Sequence, residues 1–160
     1  MVKGSNDALV QAVRDFYEEY TICLDDSDFE RWPSYFTEDA DYRIISRENF
    51  DRGLPMASMT CNGIGMIKDR VTALLKVLVY EPRHLRRYVS SVRVKSQDGN
   101  VIKSGANFLV FESMMDRETQ LNMIGAYHDT LVREGDSFRI KERNCVYDNH
   151  RILTTLYAPI

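Results

Sequence analysis

The chain has 160 residues, 44% hydrophobic and 28% charged, with a formal net charge of −3. These are the proportions of one globular domain, residues 1–160, with enough apolar side chains for a single core. The acidic balance argues against nucleic-acid binding, which needs clustered excess cation. No apolar run approaches the roughly 18 residues of a membrane span, and no apolar signal stretch follows the N-terminus, so a cytoplasmic protein is the default expectation.

Ser5 or Asn6 is placed to cap a first helix, in which Leu9, Val13, Phe16, Tyr17, Tyr20 and Leu24 recur at spacings of three and four as one apolar stripe. Asp25-Asp26-Ser27-Asp28 ends it and leads into a short second helix, Phe29–Tyr35, with Pro33 in its first turns. Ala40–Ser46 alternates as a first strand. Residues 47–64, with Gly53, Pro55 and Gly63, read as an irregular excursion with a short strand near Ala57–Cys61, and as a candidate contact surface. Ile67, Val71, Leu74, Leu75 and Leu78 mark a helix from Gly65 to Val79, stopped by Pro82.

Four long strands follow: Leu85–Lys95, Val101–Met115, Thr119–Arg133 and Ser137–Tyr147. Asp98-Gly99 is a hairpin signal, since both residues tolerate positive φ, and Glu134-Gly135-Asp136 marks another tight turn. Strands this long, against a mode of about 5–6 residues, predict strong twist and coiling. The expected fold is α+β: a cone whose N-terminal helices pack on a strongly curved, mostly antiparallel sheet around an interior pocket. The apolar segment Leu153–Ile160 is expected to dock on the sheet or on a partner, with deletion of Leu156–Ile160 lowering assembly more than folding.

The chemistry missing from the chain is informative. The histidines are His84, His128 and His150, and none combines with Cys23, Cys61 or Cys145 in the paired spacing of a Rieske cluster. His128 and Asp129 are adjacent on a strand and point to opposite faces, so they cannot chelate one metal together. Three widely spaced cysteines argue against a disulfide framework and for buried small hydrophobes. There is no Gly-x-Ser-x-Gly elbow, and Gly63-Ile64-Gly65 lacks the rest of a phosphate-binding loop. A cone pocket could run acid–base chemistry on Tyr20, Asp41 and His128, with Tyr17 and Tyr42 as further lining groups. The basic run Arg83-His84-Leu85-Arg86-Arg87-Tyr88, and the charged row Arg139, Lys141, Glu142 and Arg143, suit a subunit contact.

The order of several local marks resembles a known family. They are Trp32-Pro33-Ser34-Tyr35-Phe36 with Tyr42-Arg43, Met66-Ile67-Lys68-Asp69-Arg70-Val71, Arg86-Arg87-Tyr88-Val89-Ser90-Ser91-Val92-Arg93-Val94, Gly125-Ala126-Tyr127-His128-Asp129, and Phe138–Arg143 through Tyr147-Asp148. Together they resemble the small (β) subunit of Rieske-type aromatic-ring-hydroxylating dioxygenases, whose fold is that of nuclear transport factor 2 and ketosteroid isomerase. Arg47-Glu48-Asn49-Phe50 with Gly53-Leu54-Pro55 is most similar to salicylate-hydroxylating members. Tyr88 and Ser91 depart from the family's usual His and Asn.

The resemblance implies a non-catalytic small subunit with no cofactor or metal of its own. A large (α) subunit would carry the Rieske [2Fe-2S] cluster and a mononuclear non-haem iron in an α3β3 hetero-hexamer, served by a ferredoxin and a reductase. Arg86, Arg87, Tyr88, Arg143 and Asp148 are the expected interface residues.

Overall fold

The computed structural model describes the backbone from Lys3 to Ile160 and the side chains from Asp7 onward. Helix α1 (Lys3–Asp25) is followed by a 3₁₀ turn (Trp32–Tyr35), strand β1 (Phe36–Ser46), helix α2 (Arg47–Asp51), strand β2 (Met59–Asn62) and helix α3 (Gly63–Lys76). Strands β3 (Arg83–Asp98), β4 (Val101–Met114), β5 (Arg117–Glu134) and β6 (Ser137–Tyr147) complete the order. Helix α1 begins upstream of the expected caps, and the side chains of Ser5 and Asn6 lie outside the described residues. Its apolar stripe is buried throughout, from Leu9 to Leu24.

The expected second helix contracts to the single turn Trp32–Tyr35, where Pro33 at the start leaves no amide proton unpaired. The excursion at 47–64 is ordered at both ends. Ser46 Oγ accepts the Asn49 amide at 3.3 Å and caps α2. Strand β2 pairs antiparallel with β1, Tyr42 opposite Cys61. Both short hairpin loops, Gly99-Asn100 and Gly135-Asp136, put glycine first, at φ 57° and 62°. Of Asp98 and Gly99, only the glycine takes positive φ, because Asp98 still pairs with Val101 in the ladder.

The six strands form one sheet in the order β2-β1-β6-β5-β4-β3. It is mixed: β1 runs parallel to β6, and every other neighbouring pair is antiparallel. This corrects the expectation of a strongly curved cone. The sheet is open, with β2 at one edge and β3 at the other. Strand length demands twist but not closure, which requires the two edges to meet. A four-residue β2 offers almost no ladder to a sixteen-residue β3.

Helix α1, helix α3 and the last residues of the chain cover one face of the sheet. An aromatic nest sits beneath them: Trp32 meets Phe36 and Tyr42 edge-on at centroid distances of 5.1 and 5.2 Å, and Tyr20 meets Tyr35 at 5.4 Å. Such pairs each add about 0.5–1.5 kcal/mol beyond area burial. Residues 149–160 form a strap. Asn149 Oδ1 accepts the Ile124 amide at 2.9 Å, Thr154 Oγ1 donates to Glu112 Oε2 at 2.9 Å, and Tyr157 stacks on Tyr80 at 4.0 Å. Tyr157, Ala158 and Ile160 are buried in the core, so this segment belongs to the fold itself. Of the two expected seats for the segment, the sheet or a partner, the structure shows the first, and its deletion bears on folding as well as on assembly.

Candidate functional site

The interior that a cone enzyme would use for chemistry is filled. Arg143 on β6 projects inward beside Asp129 on β5, the two residues being partners in the ladder. Its Nε donates to both Asp129 oxygens at 3.1 Å, and its Nη2 donates to Oδ2 at 2.6 Å. Neither side chain has solvent exposure. Tyr17 OH donates to Asp129 Oδ2 at 2.6 Å and lies 3.0 Å from Ser104 Oγ. The guanidinium carbon stands 4.2 Å from the Tyr20 ring centre, 4.3 Å from Tyr127 and 5.1 Å from Tyr17. A buried charge pair persists when it is multiply hydrogen-bonded, and the aromatic faces supply further attraction to the cation. Burial works against the Arg143 charge, yet Asp129 holds its pKa well above the usual arginine value.

The chain's own last residues occupy the rest. Ile160 N donates to Tyr42 OH at 2.8 Å, and the Ile160 carbonyl accepts from Tyr20 OH at 3.1 Å. Trp32 Nε1 donates to Tyr20 OH at 2.9 Å. Arg87 Nη2 donates to the Pro159 carbonyl, and Arg70 Nη2 to the Tyr157 carbonyl, both at 2.7 Å. Burial, ahead of every other influence, pushes the hydroxyls of Tyr17, Tyr20, Tyr42 and Tyr127 above the ordinary phenol range. Cys145 is pushed up to about 12, again by burial first. These groups hold protons at neutral pH, and all but the buried Tyr127 hydroxyl are already hydrogen-bonded within the chain. A thiol so far from thiolate is no nucleophile.

The acid–base set expected from sequence does not assemble. Tyr20 is in the core. Asp41 is half-buried on β1 and paired with Arg43 two residues on. His128 lies on the other side of the sheet, because its neighbours Tyr127 and Asp129 both point inward. Among the described residues, no three His, Cys, Asp or Glu side chains gather as a metal site. The three cysteines are free and buried. This side-chain set does not fit a Rieske cluster or a mononuclear iron.

The five expected interface residues divide in two. Arg87 bonds Asp25 Oδ1 at 2.8 Å and Arg143 bonds Asp129, both sealed inside the chain, so neither can meet a neighbour. Arg86, Tyr88 and Asp148 are exposed, Asp148 with Arg47 Nε at 2.8 Å. Sequence spacing could not separate Arg86 from Arg87. Alternation along β3 could, once the inward side was known. Reading single residues also missed an apolar row across three strands: Tyr88 pairs with Leu109, and Leu109 with Ile124. Tyr88 is 57% exposed and Ile124 38%.

No helix among the described residues is long and apolar enough to cross a membrane. The chain is 36% identical over 137 residues to the anthranilate 1,2-dioxygenase small subunit of Burkholderia cepacia, covering 86% of this chain and 85% of that protein. It is 27% identical over 145 residues to a β subunit of the terephthalate 1,2-dioxygenase terminal oxygenase component from a Comamonas species, covering 91% and 94% of the two chains. The solved β subunit of a provisionally assigned aromatic-ring-hydroxylating dioxygenase from Novosphingobium aromaticivorans superposes with a TM-score of 0.88 at 37% identity, over 96% of this chain and 98% of that one. The sequence pattern of the ring hydroxylating beta subunit family matches residues 21–154. A filled interior, an exposed apolar sheet face and, among the described residues, no gathered set of metal ligands accord with that match, and the chain belongs to this family as the non-catalytic small subunit of a Rieske-type aromatic-ring-hydroxylating oxygenase.

Proposed function

We propose that the chain is the scaffold of an α3β3 oxygenase. The large subunit carries the Rieske [2Fe-2S] cluster and the mononuclear iron, a ferredoxin and a reductase deliver electrons, and the complex works in the cytoplasm on an aromatic acid. The observation that carries this reading is the plugged interior: Arg143 and the segment ending at Ile160 take the volume and the polar groups that chemistry would need. The relatives named for anthranilate and terephthalate support an aromatic acid as substrate. Salicylate, the narrower expectation from Arg47–Phe50, is an ortho-substituted benzoate like anthranilate.

Contact with neighbouring subunits falls to the outer sheet face. The row Tyr88–Leu109–Ile124 supplies apolar area, and Arg86 and Asp148 supply charge at its margins. An obligate contact there buries well over about 1,000 Å². Co-expression with a large oxygenase subunit from the same source, followed by native mass spectrometry, tests the reading. The expected species is a hexamer of three copies of each chain. A small subunit that stays alone, or pairs only with itself, contradicts it.

A further inference from the structure

The outer face also holds a second arrangement, four residues along β4 from Leu109. His128 on β5 lies under Phe50 of α2, ring centres 4.8 Å apart. Lys95 reaches it from β3 across the intervening β4, its Nζ donating to His128 Nδ1 at 3.4 Å. Gly105 on β4, the ladder partner of His128, leaves room beneath the lysine. A Cβ there would stand 3.3 Å from Lys95 Cε and 3.5 Å from Nζ. The lysine therefore lies flat over the strand instead of extending into water. Because an ammonium only donates, Nδ1 is the acceptor and the imidazole proton is on Nε2.

The charges around this point are equal in number but differ in how far they are already paired. Cations come from Lys95, Arg93 and Lys103, and carboxylates from Asp51, Asp129 and Glu142. Asp129 is committed to Arg143 and Tyr17. Glu142 is bonded by Thr130 Oγ1 and Asn144 Nδ2, each at 3.1 Å, and lies 3.8 Å from Lys103. Asp51 belongs to α2. Among the described residues Lys95 has no carboxylate within ion-pair distance. Burial first, and the Lys95 charge second, depress the His128 pKa. These side chains line a recess of about 180 Å³, smaller than the roughly 300–1,000 Å³ of drug-sized sites, and so suited to one small ring.

We propose that this recess binds a single-ring aromatic carboxylate, its anionic end held between the Lys95 ammonium and the His128 imidazole and its ring against Phe50. The site would place an aromatic acid on the outer sheet face of the small subunit. It is independent of the assembly reading, since its test needs no partner chain.

The test is a titration of the full chain, carrying ¹³C-labelled histidine, with benzoate and separately with acetate, followed by NMR. His84 and His150, both exposed, serve as internal references. Benzoate is expected to shift the His128 signals saturably and to raise its titration midpoint, because a bound anion favours imidazolium. Acetate at equal concentration is expected to do so several-fold more weakly. Lys95→Met, at an exposed side chain whose loss does not threaten folding, should abolish the response. Phe50→Ala should remove the preference for benzoate over acetate. The proposal is overturned if His128 moves no more than His84 and His150, if Lys95→Met responds like the native chain, or if acetate matches benzoate.

Discussion

Tyr42 and Ile160 grip each other through two hydrogen bonds across 118 residues of sequence: the Ile160 amide donates to the Tyr42 hydroxyl at 2.8 Å, and that hydroxyl donates to the Ile160 carbonyl at 3.3 Å. Both residues are essentially without solvent exposure. Tyr42→Phe keeps the ring and strands a buried amide. The expected cost is about 1–3 kcal/mol, read as a lower denaturant midpoint with an unchanged slope. Deleting residues 156–160 removes this grip and the Arg87–Pro159 bond together, and should impair folding of the isolated chain. Urea unfolding of each variant measures both effects.

Asp129 and Arg143 offer a sharper contrast. Asp129→Asn leaves a buried guanidinium without its counter-charge, and about 3–5 kcal/mol of stability should be lost. Replacing both residues by apolar side chains of similar volume, Asp129→Leu with Arg143→Met, should recover a large part of that loss. A double variant no more stable than the single one would show that the pair's hydrogen bonds to Tyr17 and its packing on Tyr20 dominate over its charge balance.

The His128 environment sets a pH dependence whose sign follows from its direction of shift. Burial and Lys95 lower its folded pKa below the ordinary histidine value of about 6.5. Between the two values the unfolded chain binds a proton that the folded chain refuses, so stability rises with pH across that window. The contribution is complete above about 6.5 and is lost as pH falls through the folded value. Stability measured by urea unfolding on both sides of this window should show the slope, and His128→Gln should flatten it.

On the outer face, Tyr88→Asp puts a charge in the middle of the Tyr88–Leu109–Ile124 row. The side chain is already 57% exposed, so folding should change by less than about 0.5 kcal/mol. Assembly should fall sharply, because a desolvated carboxylate there finds no partner. Thermal unfolding of the isolated chain and sedimentation of the co-expressed complex separate the two effects.

Much of this was legible in the residues. The stripe from Leu9 to Leu24 and the turn glycines at 99 and 135 identify α1 and two hairpins, because helical period and positive φ are local properties. The parallel pairing of β1 with β6 was not, since nothing within Phe36–Ser46 names a partner a hundred residues away. Sheet curvature was misjudged because strand length reports twist alone. At the site, the lack of metal motifs was visible in the spacing of Cys and His. The burial of Arg87 and Arg143 was not, because a charged residue on a strand reads as solvated until Asp25 and Asp129 are found opposite it. The role of Ile160 was hidden too: an apolar tail signals docking, but its seat beside Tyr42 exists only in three dimensions.

Iron content, chain by chain, is the most direct test of the claim that this subunit supports chemistry carried out elsewhere. The co-expressed complex should be separated into its two chains under mild conditions and each assayed for iron and for turnover of an aromatic acid. Iron should follow the larger chain, and the small subunit alone should hold none and turn over nothing. Stoichiometric iron on the isolated small subunit, or hydroxylation by it without the larger chain, would contradict the account.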